Sequence, residues 1–235
     1  MWIAFVGDSL TSGFPGCSYL EILRKKLPDH TLVNLGRGND TSVSLYRRIA
    51  VRRIARLFLL RRFDLAFLWV GVNDVSRDAV WPVRVANTLR GQPRSRDAAE
   101  FRAYYERALD VLCQMSGHVV AVSPAIKGED SANRWNIELS AMASVVEGLA
   151  EQYEQVSYLD VRTPLFEALD GRPPASYTPA TSRVLWDMLT LWRGEQIDNK
   201  AAERGLALTL DGVHLNGRGA EIVAETFRGF IVGYA

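Results

Sequence analysis

The chain has 235 residues, 48% of them hydrophobic, which allows one sizeable core without requiring a second domain. Its 28 basic residues stand against 27 acidic ones, for a net charge of +1. That balance argues against nucleic acid as the main partner. Two cysteines, Cys17 and Cys113, lie too far apart to suggest a disulfide framework or a metal or redox motif.

The first strand is expected at 2–7, "WIAFVG". No basic stretch followed by a long apolar run precedes it, so no signal peptide is read there and a cytoplasmic location is expected. No apolar run reaches the length of a membrane span, so stable membrane insertion is not expected. Further strands are expected at 31–35, 65–70, 119–123 and 156–161, mostly apolar throughout rather than in alternation. Continuous apolarity is the mark of parallel strands covered on both faces. Amphipathic stretches at 16–27, 41–59, 96–115, 132–153 and 217–232 predict helices between and after them. The alternation predicts a doubly wound α/β sandwich, with a single domain spanning 1–235.

Two stretches break the rhythm. Residues 75–95 form a long connection containing Pro82 and Pro93, and 171–209 form an insertion before the last helix. Within the insertion Val184, Leu185, Met188, Leu189 and Trp192 share one helical stripe, while Trp186 and Leu191 lie off it. A helix apolar on more than one face needs cover on more than one side. A lid over a site, a dimer contact and a well-buried helix all meet that need. In the 41–59 helix, Arg47, Arg48, Arg52, Arg53 and Arg56 flank an apolar stripe and are read as a solvated face, with an anionic surface as the alternative.

Ligands of open α/β sheets bind at the carboxyl ends of the strands, so the residues there come first. Gly7, Asp8 and Ser9 follow the first strand, "NLGRGNDTS" (34–42) ends the second, and "GVNDVS" (71–76) follows the third. A serine hydroxyl needs a base to become a nucleophile, and the chain has three histidines. His30 reads as part of a surface turn, and His118 lies at the wrong end of the fourth strand. His214 sits just before the final helix with Asp211 three residues upstream, a spacing that lets one turn aim the carboxylate at the imidazole. Acyl transfer also needs donors for a developing oxyanion. Asn73 is a candidate through its side-chain amide, as are the backbone N–H groups of Ser9 and of the 36–39 loop; a turn or helix cap is the plainer reading of Asn73-Asp74.

A tip serine, a glycine-rich second loop, a Gly-x-Asn-Asp third loop and a late Asp-x-x-His, in that order, resemble the SGNH or GDSL-type hydrolase superfamily from Gly7 to Asn216. The resemblance implies a flavodoxin-like sheet of five parallel strands in the order 2-1-3-4-5. It implies Ser9 as nucleophile, His214 as general base and Asp211 as its orienting partner, with the Asn73 side chain and the Ser9 N–H in an oxyanion hole. The remaining donor is usually a glycine N–H of the second loop. Here Asn39 stands at that place with Gly38 before it, and either donates. Arg37 and Trp186 are further candidates for substrate contact, although a solvent-facing arginine and a core tryptophan are the plainer readings. Trp81, Trp135 and Trp192 carry the same ambiguity. No nucleotide or metal motif is present, and serine acyl transfer requires no cofactor.

The expected activity is hydrolysis of short-chain acyl esters or acetylated small molecules. Two alternatives use the same scaffold: acyl transfer to a sugar or alcohol, and non-catalytic binding of carbohydrate or lipid.

Overall fold

The computed structural model describes residues 1–54, 62–75, 92–175 and 194–234. Strands β1 (Trp2–Gly7), β2 (Thr31–Gly36), β3 (Phe63–Trp69), β4 (Ser116–Val122) and β5 (Val156–Leu159) form one parallel sheet in the order β2-β1-β3-β4-β5. The expected strands are all present with slightly moved ends. β5 stops at Leu159 because Asp160 turns away, accepting hydrogen bonds from Ser123 Oγ (3.0 Å) and Arg162 N (2.8 Å).

The described helices are α1 (Ser9–Ser12), α2 (Tyr19–Lys26), α3 (Ser42–Ile54), α4 (Ala98–Met115), α5 (Arg134–Ala150), α6 (Arg162–Glu167), α7 (Gly194–Glu203) and α8 (Gly217–Tyr234). Caps set their starts. Ser18 Oγ accepts from Glu21 N, Asp97 Oδ1 from Glu100 N and Asn133 Oδ1 from Asn136 N, at 3.4, 2.8 and 2.8 Å. Each satisfies a backbone donor that the first turn leaves over. Within the expected 41–59 helix, 55–59 lie outside the described residues, as do 76–91 of the long connection with Trp81, and the whole apolar segment read as a lid, dimer contact or buried helix, with Trp186 and Trp192.

The helices form the two outer layers. On one face α3 packs on α4 and α4 on α5; on the other, α8 packs on α2, α6 and α7. The core beneath α8 is aromatic. Phe227 lies 5.9 Å from Phe5, 4.8 Å from Phe67, 5.0 Å from Tyr19 and 5.7 Å from Trp69, centroid to centroid. On the other face Ala4, Val6, Ile49 and Leu112 meet around a small apolar gap.

Strand order reverses between β1 and β3, and this is where a parallel sheet opens a crevice at its carboxyl end. Two glycines let α1 sink into that crevice. A Cβ on Gly7 would lie 2.2 Å from Thr11 Oγ1, and one on Gly36 would lie 2.3 Å from Ser12 N. No larger residue fits at either strand end while α1 stays in place.

Candidate active site

Ser9 opens α1 directly after β1 and is buried, 6% exposed. The preceding Asp8 caps the same turn, its Oδ1 accepting from Leu10 N at 3.0 Å. Across the crevice, residues 208–216 form a tight hairpin. Leu210 N donates to His214 O at 2.7 Å, and Asn216 N donates to Leu208 O at 3.0 Å. Asp211 and His214 sit across its tip. Cys17 N donates to Leu215 O at 2.8 Å, which ties the hairpin to the segment just after α1.

Three of the residues singled out in the sequence therefore meet. His214 Nε2 lies 3.0 Å from Ser9 Oγ, and His214 Nδ1 lies 2.7 Å from Asp211 Oδ2. An ionised carboxylate only accepts, so Nδ1 carries the proton and Nε2 presents its lone pair to the serine hydroxyl. Asp211 Oδ1 also accepts from Val213 N (3.1 Å) and His214 N (2.9 Å). Burial opposes charge on Asp211, but the His214 charge and these hydrogen bonds outweigh it and hold the carboxyl below its ordinary range.

Asn73 sits in the turn after β3, half-buried, and its Nδ2 donates to Asp40 O at 3.0 Å with Asp8 Oδ2 at 3.4 Å. Asn39 has φ 61°, the left-handed conformation that asparagine tolerates better than most non-glycine residues. In the same loop Arg37 N donates to Gly7 O and Asp40 N to Arg37 O, which commits the flanking donors inside the protein. Gly38 O accepts from Gln92 Nε2 at 2.8 Å. Arg37, Gly38 and Asn39 are all exposed. Trp135, half-buried on α5, lies under Lys127 and Arg134, whose charges are 5.0 and 4.9 Å from its ring. His118, as expected, is remote from this end of the sheet, with Nε2 2.8 Å from Ser157 Oγ.

Beneath the crevice lies a set of buried acids that the sequence did not reveal. Asp40 is paired with Arg48 at 2.8 Å and accepts from Ser44 Oγ at 2.9 Å. Arg48 thus turns inward, which corrects the reading of the α3 arginines as one solvated face. Asp74 accepts from Ser42 N (3.0 Å) and from the hydroxyls of Ser42 and Ser95 (both 2.8 Å), so it caps α3 from across the crevice. Burial pushes the Asp74 carboxyl up against the pull of those donors. Burial likewise pushes Asp8 up to about 7, opposed by Leu10 N–H and His214 and reinforced by Asp40 and Asp74. Asp40 precedes Arg48 by eight residues, beyond the helix-face spacings a sequence pattern tests, so nothing local marked the pair.

A model of the GDSL-like lipase/acylhydrolase family matches residues 5–222. The chain belongs to that family. As a GDSL-like acylhydrolase it is an ester-hydrolysing enzyme, which removes the non-catalytic binding module from consideration. Comparison with curated proteins finds no match. Among solved structures, the acetylxylan esterase Axe2 of Geobacillus stearothermophilus is similar with TM-score 0.65 and 17% identity, covering 98% of this chain and 93% of that one. The acetyl xylan esterase AlAXEase gives 0.66 and 20%, over 98% of this chain and 100% of the other. A lipolytic G-D-S-L protein of Veillonella parvula gives 0.61 and 16%, over 98% and 97%. At these identities the likeness establishes the fold that this GDSL-like acylhydrolase shares with them. Among its described residues no helix is long and apolar enough to cross a membrane.

Proposed function

We propose that this enzyme hydrolyses small carboxylic esters, acetyl esters foremost, through an acyl-enzyme on Ser9. The observation that carries the reading is the unbroken contact chain from Ser9 Oγ to His214 Nε2 at 3.0 Å and from His214 Nδ1 to Asp211 Oδ2 at 2.7 Å. Ser9 Oγ attacks the ester carbonyl while its proton passes to His214 Nε2. Asp211 stabilises the imidazolium and fixes the ring. The C–O bond then breaks, and His214 returns the proton to the departing alcohol. Water, giving its proton to His214 in turn, attacks the acyl-serine; the acyl–Oγ bond breaks, His214 returns that proton to Ser9 Oγ, and the acid leaves.

The oxyanion is held by the Ser9 N–H, the second N–H of the Asn73 amide and one N–H from the Gly38-Asn39 loop. Asp40 O engages one hydrogen of that amide at 3.0 Å, and the other, which rests a longer 3.4 Å from Asp8 Oδ2, is the one that turns to the oxyanion. The preference for acetyl esters follows the acetylxylan esterases among the similar structures. Catalytic mutants of one of them replace a serine, an aspartate and a histidine, the last two three positions apart as Asp211 and His214 are here.

The test compares wild type with Ser9→Ala on p-nitrophenyl acetate, butyrate and a long-chain ester. Wild type is expected to cleave acetate fastest, and the variant, folded by circular dichroism, is expected to cleave none above background. Equal activity in the variant removes Ser9 from the mechanism. A wild type that turns over only when a sugar or alcohol acceptor is added makes it a transferase.

A further inference from the structure

The Asp211–His214 hairpin is not held by its own hydrogen bonds alone. Glu129, on the loop between β4 and α5, reaches under it and is 5% exposed. Its Oε2 accepts from Ala207 N at 2.7 Å. Its Oε1 accepts from Leu208 N (2.8 Å), Thr209 N (2.8 Å) and Thr209 Oγ1 (2.7 Å). Four donors from three consecutive residues thus converge on one carboxylate, and those residues lead directly into Asp211.

The hydroxyl of Thr209 extends this grip toward the hairpin tip. An ionised carboxylate has no proton to give, so the Thr209 hydrogen points at Glu129 and a lone pair is left facing outward. That lone pair receives Gly212 N at 3.1 Å. From the other side Gly128 N donates to Gly212 O at 2.6 Å. Gly212 lies between Asp211 and His214 and is therefore held at its N–H by Thr209, which Glu129 orients, and at its C=O by Gly128, the residue before Glu129.

The Glu129 loop is itself anchored. Asn136, 1% exposed in the first turn of α5, accepts from Lys127 N (2.9 Å) and donates to Lys127 O (3.1 Å), Gly128 O (3.0 Å) and Asp130 O (2.7 Å). Arg162 donates to Ala125 O and to Asn136 O, both at 3.0 Å. The support runs from the rigid α5 terminus through a pinned loop to the carboxylate, and from there to the segment that aims the general base.

We infer that Glu129 is a positioning residue for the Asp211–His214 pair: it sets the distance between His214 Nε2 and Ser9 Oγ without touching the reacting atoms. The inference rests on the Ser9 mechanism proposed above. A shift of about 1 Å in such an alignment is known to cost about 10²-fold in rate, which sets the expected scale. A glutamine in its place keeps one acceptor for the three-donor site but turns an amide N–H toward Ala207 N–H. An alanine leaves three N–H groups, two of them buried, and the Thr209 hydroxyl without their acceptor.

The experiment compares Glu129→Gln, Glu129→Ala and Thr209→Val with wild type and with Leu112→Ala, a core truncation on α4 far from the crevice that supplies a matched loss of melting temperature. For Glu129→Gln, kcat on p-nitrophenyl acetate is expected to fall about 10- to 100-fold with KM within about threefold. Thr209→Val, which leaves Glu129 in place, is expected to fall less. The far-downfield proton NMR resonance of the His214 Nδ1–H bond to Asp211 is expected to shift or broaden in both Glu129 variants and to stay in place in Leu112→Ala. That resonance is read in the resting protein, so it reports on Glu129 even if no ester is cleaved, whereas Ser9→Ala reports on the mechanism alone. Should Glu129→Ala fail to fold, Glu129→Gln decides. A folded Glu129→Gln with wild-type kcat and an unmoved resonance overturns the inference, as does a rate loss no larger than that of Leu112→Ala at equal melting temperature.

Discussion

Asp8 occupies the position between the strand-ending Gly7 and Ser9, and its carboxyl is 2% exposed with a pKa raised from 3.8 to about 7. A group whose pKa rises on folding holds its proton more tightly in the native state. Its stabilisation is complete below pH 3.8 and is lost as pH climbs through about 7, a loss on the order of 4 kcal/mol. Asp74 is shifted in the same direction, also by burial, and adds to the trend. Replacing Asp8 with Asn removes one titrating partner. Asp8→Asn is therefore expected to melt at progressively higher temperature relative to wild type as pH is raised from 4.5 to 8, by calorimetry in matched buffers. A constant offset between the two curves would place the proton elsewhere.

At the scale of elements, α3 is fastened to the crevice floor by the Arg48–Asp40 pair, whose side chains are 10% and 0% exposed. Removing one member of a buried pair strands the other charge, a cost of about 3–5 kcal/mol. Arg48→Met is expected to lose that much in urea unfolding, and Asp40→Asn combined with Arg48→Met is expected to recover most of it. The strands were legible in the sequence because most are continuously apolar and end near glycine or polar residues. The meeting of Ser9, His214 and Asp211 was legible because Ser9 follows a strand end and Asp211 lies within a few residues of His214. Arg48 and Glu129 were not, since their partners lie in other segments and a local pattern carries no trace of them. Glu129 binds residues 78 to 80 positions away. The helices that went unread are short or irregular: α1 has four residues, α6 has six with Pro164 inside, and α7 lies within the stretch read as an insertion. α1 and α6 are too short to show a clear apolar stripe at helical period, whereas α7, at ten residues, goes unread only as part of that insertion.

Over the whole molecule, one aromatic cluster joins the first strand, the third strand, α2 and the last helix through Phe5, Phe67, Trp69, Tyr19 and Phe227. Phe227 is fully buried at its centre, and truncating such a side chain costs about 3–5 kcal/mol. Phe227→Ala is expected to lower the urea midpoint by a matching amount while the folded fraction keeps kcat within about twofold of wild type. A selective loss of kcat without loss of stability would instead mean that α8 aims the hairpin before it. The meeting of Ser9 with His214 has a temporal side. Ser9 and His214 lie 205 positions apart, so a ribosome delivers Ser9 roughly 10–40 s before His214 at ordinary elongation rates. On the proposed mechanism, the Ser9 hydroxyl lacks its base until then. A chain interrupted before His214 therefore carries Ser9 without the partner that the proposed mechanism gives it.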